Sequence, residues 1–399
     1  MKLKESKREF GQKMQSDAVR LYGKCDLRKE TIDLSPPDKH EIIAKVICCA
    51  VCATCRKVAQ LGQEHNRVPK NLEQNPVILG HEFCAEVIEV GGGVEKSLVG
   101  KKIIVQPMVY ERGLEWQAMG HSFGEAGGYA TKIKIPKQFY ENNAIIEYSG
   151  KGFYKAALAE PLGCIIAAFR TQYHTKQESF KPVYGNKPDG TSIFLGGAGN
   201  MGKLAVQLWK TKSNEKAKLI IYDRNIENLK SLGEIIKNDG RIKAYSPQDE
   251  NYIRSLAGTI DDVAVFAPSR DMVDLGMSLL SFDGCMNFFA GPFEKEFNVP
   301  VNFHNIHYLR HHIVGSSGAS SEDIRKALQL IEDDIIDPSL IVSHIGGLDC
   351  VCDVVGSLFG GGKKLIYPQI SLPLTAVSEW SVEKEEELLK FNKPSNSYR

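Results

Sequence analysis

Apolar and polar positions change rhythm twice along this chain. Over residues 18–34 short runs alternate, AVRLYG and then LRKETIDL, and Ser35-Pro36-Pro37-Asp38 ends them as a turn. Residues 41–49 (EIIAKVICC), 85–90 (AEVIEV) and 102–106 (KIIVQ) keep the strand rhythm, with Gly91-Gly92-Gly93 before the last. This part predicts a β-rich, barrel-like domain. The rhythm then becomes helical over 153–170 (FYKAALAEPLGCIIAAFR), where Pro161 predicts a kink or restart. Residues 176–190, with two prolines and two glycines, predict a loop.

From residue 191 the pattern is strand–helix–strand. Residues 191–195 are a short apolar strand, 203–210 begin a helix, and 218–222 (KLIIY) form the next strand. Further buried strands are predicted at 262–267 and 285–290, with 313–316 closing the sheet. Such alternation implies a parallel, doubly wound sheet with right-handed crossovers. Beyond it come a capped amphipathic helix over 320–334, strands at 341–344 and 364–367 with a short helix between, and a charged tail from 378 that could form a surface helix. Residues 1–14 predict a short extension, basic but without the apolar core of a secretory signal.

Composition narrows the picture little. The 399 residues favour two domains and leave room for a third, 42% are hydrophobic and 25% charged, and the net charge is +1. Nothing in that balance points to nucleic acid or a membrane surface. The ten cysteines cluster partly at 48–55, a spacing that suits reduced thiols better than bridges, so the expected compartment is the cytoplasm.

Two motifs about 120 residues apart carry the chemistry. Gly197-Ala198-Gly199-Asn200-Met201-Gly202 lies between a predicted strand and a predicted helix, the context in which GxGxxG holds a dinucleotide pyrophosphate. The helix N-terminus offers free N–H groups to the phosphates. Asp223 ends the next strand about 20 residues on, where an acid bonds the ribose hydroxyls. A carboxylate there favours NAD over NADP, and the adjacent Arg224 keeps NADP open. The second motif is Gly80-His81-Glu82, preceded by Cys49, Cys52 and Cys55. Cys52 and His81 are zinc ligands by type, and Glu82 and Glu160 are carboxylates that could complete a catalytic site of three protein ligands and one open position. The three cysteines also fit an iron–sulfur cluster, with Cys84 or Cys164 as the fourth ligand.

Together these residues resemble the zinc-containing medium-chain dehydrogenase/reductase family, from about residue 18 to about 367. The fold implied is α/β: a Rossmann-type domain at 176–318 and a β-rich GroES-like catalytic domain built from 15–175 and 319–399. By that resemblance Cys52 and His81 are the first two zinc ligands. Glu160, in Glu160-Pro161-Leu162, takes the third position used in the polyol and threonine dehydrogenase branch, and Glu82 is a further candidate ligand. Thr54 takes the place of the hydroxyl that relays the substrate proton. Cys55 stands where family members usually carry an acid that buttresses the metal-site histidine. The stretch 106–128 has no cysteine, so one catalytic zinc and no structural zinc is expected.

AVRLYGKCDLR (18–28), NPVILGHEFC (75–84), GCMNFFAGP (284–292) and GGGKKLIY (360–367) resemble the L-sorbose 1-phosphate reductase-like group within that family. The resemblance implies hydride transfer between NAD(P) and a secondary alcohol or ketone of a sugar, polyol or sugar phosphate, in a dimer or tetramer. A phosphate would call for cations, and two sets are candidates: Arg56, Lys57, His65 and Arg67, and His304, His307, Arg310, His311 and His312. Two rival readings stand beside this one. They are a zinc-free reductase of the same fold, and a non-enzymatic NAD-binding redox sensor that uses the thiols at 48–55.

Overall fold

The computed structural model describes residues 13–109, 113, 115–357 and 361–391. Most of the predicted N-terminal extension therefore lies outside the described residues, and the first strand begins at Met14. The chain forms two compact units. One holds the described residues of Met1–Leu158, Val342–Phe359 and Lys363–Arg399, the other those of Ala159–Ile341 and Gly360–Gly362. The second unit is thus wider than 176–318 and takes in the flanking helices Ala159–Thr171 and Ser321–Glu332.

In chain order the strands of the first unit's N-terminal part are β1 Met14–Gly23, β2 Asp26–Leu34, β3 Ile42–Ala50, β4 Val77–Ile78, β5 Glu82–Val90, β6 Lys102–Val105, β7 Lys132–Ile135 and β8 Ile145–Tyr148. The second unit contributes β9 Tyr173–Lys176, β10 Lys181–Tyr184, β11 Thr191–Leu195, β12 Lys218–Tyr222, β13 Ile242–Tyr245, β14 Ile260–Val265, β15 Leu280–Phe288 and β16 His312–Gly315. The chain then returns with β17 Val342–Gly346, β18 Lys363–Ile366 and β19 Thr375–Ala376.

The first unit is β-rich. Its main sheet runs β19-β17-β18-β3-β5-β6-β8, with β7 also on β3, and β2-β1-β4 form a second sheet. β3 is central and almost wholly buried, which accounts for its near-continuous apolar run. β1 alternates buried and exposed positions because one face packs on the core. Antiparallel pairing of β3 with β5 places Ala50 opposite Glu82. That register brings the chain leaving β3 towards Cys52 beside the chain entering β5 through His81.

The second unit is built on a six-stranded sheet in the order β13-β12-β11-β14-β15-β16, and every neighbouring pair is parallel. This is the doubly wound dinucleotide-binding order, with its switch point between β11 and β14. The helical run at 153–170 breaks into Phe153–Ala157 and Ala159–Thr171. The break falls at Leu158, and Pro161 lies in the first turn of the second helix, where its missing N–H has no intrahelical partner to lose.

Residues 176–190 are not simply a loop: β10, exposed along its length, pairs antiparallel with β9, Lys181 opposite Lys176 and Tyr184 opposite Tyr173. With every residue of β10 exposed, burial leaves no periodic trace in its sequence. The helix in the tail, Val382–Phe391, carries a departure too, because Glu385 in its first turn is buried. Its oxygens accept hydrogen bonds from the backbone N–H groups of Phe153 and Tyr154 and from the Tyr367 hydroxyl. No helix among the described residues is long and apolar enough to cross a membrane.

Candidate functional site

Cys52 is the N-cap of the Ala53–Leu61 helix, and its Sγ accepts from the backbone N–H of Thr54 at 3.4 Å. This contact fixes the sulfur at the helix start, where free N–H groups favour negative charge. Thr54 lies in the first turn beside it, half-buried. His81 and Glu82 are buried at the entry to β5. One donor atom each from Cys52, His81 and Glu82 falls within 4.8 Å of the other two. Thiol, imidazole and carboxylate at that spacing fit a zinc-type ion.

Glu82 is not idle in the polypeptide. Lys363 at the start of β18 donates a 2.7 Å hydrogen bond to its Oε1, and the same Nζ lies 2.6 Å from Oε2. Both side chains are at most 5% exposed. Sequence reasoning misses Lys363, which is 281 positions from its partner.

It also misses His121. The segment after Ala118 runs against residues 78–81: Gly128 N–H donates to the Gly80 carbonyl at 2.7 Å, and Tyr129 N–H to that of Leu79 at 3.0 Å. Gly120 takes φ +70°, and a Cβ on it would stand 2.1 Å from the Gly80 oxygen. Glycine on glycine lets the following histidines meet, and the rings of His81 and His121 lie 4.6 Å apart. The repeated Gly-His pair at 80–81 and 120–121 is the signal that could have found it. His121 is fully buried, and neither ring nitrogen has a hydrogen-bond partner among the described residues. Such an orphaned polar atom costs about 1–3 kcal/mol unless something answers it. Burial, then the charges of His81, Arg67 and His65, hold its pKa well below the ordinary value, so the ring is neutral and can bind a metal.

Cys55 is buried, with its Sγ 3.6 Å from His81 Nδ1. Cys55 thus contacts the histidine directly. Cys49 belongs to neither metal-ligand grouping among the described residues, so the three cysteines do not gather as one cluster site. Burial pushes the thiols of Cys48 and Cys49 well up, which makes both poor nucleophiles and weakens a redox-sensing role for them.

In the second unit, Glu160 is buried at the start of its helix and accepts from Cys164 Sγ at 3.6 Å. The glycine motif joins β11 to the helix Asn200–Lys212, with Gly199 as N-cap and Asn200 and Met201 opening the helix. A Cβ on Gly202 would lie 2.0 Å from the Gly197 oxygen, so this turn needs glycine. A Cβ on Gly199 would meet nothing within 4 Å, which leaves the backbone approachable. Asp223 closes β12; Oδ2 accepts from Ala198 N at 2.9 Å and Oδ1 from Asn225 N at 2.8 Å. Arg224 is exposed, 3.5 Å from Asp271.

The two candidate cation sets separate. Arg67 and His65 lie within electrostatic reach of His121, and Arg67 of Lys57, so these members of the first set lie near the ligand residues. In the second set His304 and His307 pack on Tyr308, Arg310 covers Phe180 and Phe282, and His312 pairs with Asp283 at 2.9 Å. Those contacts give most of that set structural work.

Residues 38–142 match the alcohol dehydrogenase GroES-like domain family. The chain is 34% identical to L-sorbose 1-phosphate reductase of Klebsiella pneumoniae, over 91% of this chain and 90% of that protein. It is 35% identical to mannitol-1-phosphate 5-dehydrogenase of Aliivibrio fischeri, over 94% and 91%. The chain belongs to the medium-chain dehydrogenase/reductase family. Its fold agrees: the structure of 2R,3R-butanediol dehydrogenase from Bacillus subtilis superposes with a TM-score of 0.71 at 19% identity, covering 88% of this chain and 99% of that one. The sequence relatives are named as a reductase and a dehydrogenase of sugar phosphates, and the protein is an oxidoreductase.

Proposed function

We infer that this member of the family is a zinc-dependent, NAD(P)-linked dehydrogenase of a sugar or polyol phosphate, interconverting a secondary alcohol and a ketone. The observation that carries this is the convergence of Cys52, His81 and Glu82 across the β3–β5 register in a chain whose relatives are named for sugar-phosphate substrates. Cys52 and His81 would hold the ion, with Glu82 as a ligand exchanged against Lys363. Glu160 stands as a further ligand or general base on resemblance alone. Bound zinc supplies Lewis acidity at the reacting oxygen, and the nicotinamide accepts or donates the hydride.

The chain's own residues have definable tasks. The Thr54 hydroxyl takes the substrate proton and passes it towards solvent. Lys363 holds the Glu82 carboxylate in place and neutralises its charge whenever the ion is not bound to it. Asp223 accepts from the ribose hydroxyls with the lone pairs left by Ala198 and Asn225, and its charge opposes a 2′-phosphate, favouring NAD. Arg56, Lys57, His65 and Arg67 are the residues assigned to the substrate phosphate.

The test is turnover with NAD and NADP of glucitol 6-phosphate and mannitol 1-phosphate against free glucitol, xylitol and threonine, before and after a zinc chelator. Turnover of the phosphate esters, abolished by the chelator and restored by zinc, is the expected result. Turnover confined to free polyols or threonine would sink the phosphate assignment, and turnover indifferent to the chelator would sink the metal.

A further inference from the structure

The Cys52–His81–Glu82 set leaves His121 without a task, although this ring is fully buried with both nitrogens unpartnered among the described residues. Buried polar groups in native proteins are answered by protein, water or an ion, so an exception needs an explanation. Its surroundings supply one. Donor atoms of Cys55, His81 and His121, one from each, lie within 4.8 Å of one another. The contact between Cys55 Sγ and His81 Nδ1 is 3.6 Å. A tetrahedral ion bound at about 2.3 Å to sulfur and about 2.0 Å to nitrogen sets those two donors about 3.5 Å apart. The spacing fits two ligands of one ion and is equally that of a sulfur hydrogen bond, so the unpartnered His121 beside the pair carries the argument. All three residues are buried, and the glycine-on-glycine contact of Gly80 with Gly120 fixes the two imidazoles against each other.

We propose that Cys55, His81 and His121 form a second, inner position for a zinc-type divalent cation, sharing His81 with the Cys52–Glu82 set. The position is thiolate and imidazole only, without a carboxylate, which suits zinc or cobalt(II) over magnesium or calcium. It rests on the reading that His81 binds metal. Cys55 thereby does more than replace the family's buttressing acid: it is a ligand itself.

The experiment uses the full chain, stripped of metal and titrated with cobalt(II). Thiolate-to-cobalt charge-transfer absorption reports sulfur ligation, and bound metal is counted independently. Circular dichroism and melting confirm that each variant is folded. Cys52→Ser removes the outer sulfur and is expected to keep a cobalt site with a thiolate band. Adding Cys55→Ser should abolish that band. Adding His121→Asn instead should weaken cobalt by about 100-fold, at or beyond the upper end of what loss of a supporting residue does. Cys55→Ser is nearly isosteric and carries the test if the His121 variant does not fold. A Cys52→Ser protein that binds cobalt without a thiolate band, or whose affinity is unmoved by either second substitution, overturns the inner position. Wild-type cobalt binding that vanishes entirely with Cys52 overturns it too and leaves the proposed function standing. A wild-type chain that binds no cobalt at all would sink both.

Discussion

Replacing Lys363 with methionine isolates the charge that holds Glu82. The pair is buried, with Nζ 2.6 Å from Oε2. Two unit charges about 3 Å apart attract by on the order of 5 kcal/mol at an effective dielectric near 20. Most of that attraction offsets the desolvation of both groups, so the pair itself is near neutral for stability. Removing one partner is different, because a buried carboxylate is left uncompensated, at about 3–5 kcal/mol. In the metal-free protein Lys363→Met is expected to lower the melting temperature by on the order of 10 °C. Zinc should restore more in the variant than it adds to the wild type, since the ion then neutralises Glu82 without competing with an ammonium. At zinc about 1,000-fold above its Kd the recovery available is about 4 kcal/mol. Lys363→Met with Glu82→Gln removes both charges and should stand close to wild-type stability without zinc. The assay is thermal and urea unfolding of all three proteins, metal-free and with zinc. A metal-free Lys363→Met protein as stable as wild type, or an equal zinc shift in both, would refute the reasoning that lysine and ion share one carboxylate.

Two further outcomes are expected. Burial raises the Glu385 pKa to about 7 from the ordinary 4.5, so folding favours its protonated form. Stability from this group is fully present below about 4.5 and is lost as pH rises to about 7, on the order of 3 kcal/mol in all; urea unfolding at pH 5 and pH 8 should show this loss in wild type and not in Glu385→Gln, and equal losses would dismiss it. Asp223→Ser removes the charge that opposes a 2′-phosphate beside exposed Arg224, so the ratio of kcat/KM with NADPH to that with NADH should rise about fivefold, the worth of a contact of about 1 kcal/mol made by an exposed arginine; an unchanged ratio would mean that Asp223 only braces the loop through Ala198.

The strands whose burial is continuous are legible from the amino-acid sequence alone: β3, β11, β12 and β14 announce themselves because both faces need apolar side chains. The glycine motif and Asp223 are legible because their roles are local to one strand–turn–helix unit. Cys52, His81 and Glu82 can be named as candidates, yet their convergence depends on the register that sets Ala50 opposite Glu82, which no short window contains. Lys363 sits within GGGKKLIY with no local sign of its role, since its partner lies across the sheet through β3. His121 hides in a stretch notable mainly for its missing cysteines. β10 reads as a loop because all of its residues are exposed and no apolar rhythm marks it, and Glu385 hides in a tail whose charge speaks for solvent.

The glycine motif permits a sharper separation of fold from function than most sites do, because two of its glycines are needed for different reasons. At Gly202 an added methyl meets the Gly197 carbonyl oxygen at 2.0 Å, and backbone cannot step aside as a side chain can. Gly202→Ala is therefore expected to deform the turn in the free protein and to lower its melting temperature. At Gly199 φ is −73° and the same methyl meets nothing within 4 Å. The free protein should accept alanine there, and even gain about 0.4–1 kcal/mol through the stiffer unfolded chain. If the space over Gly199 is where the coenzyme pyrophosphate approaches the helix N-terminus, Gly199→Ala will melt at or above the wild-type temperature and still bind NADH at least about 10-fold more weakly, as a crowded phosphate contact demands. NADH fluorescence titration beside a melting curve decides it. Weak binding with an intact fold assigns the open face of Gly199 to the coenzyme, whereas unimpaired binding would show that the motif here serves packing and that the dinucleotide lies elsewhere.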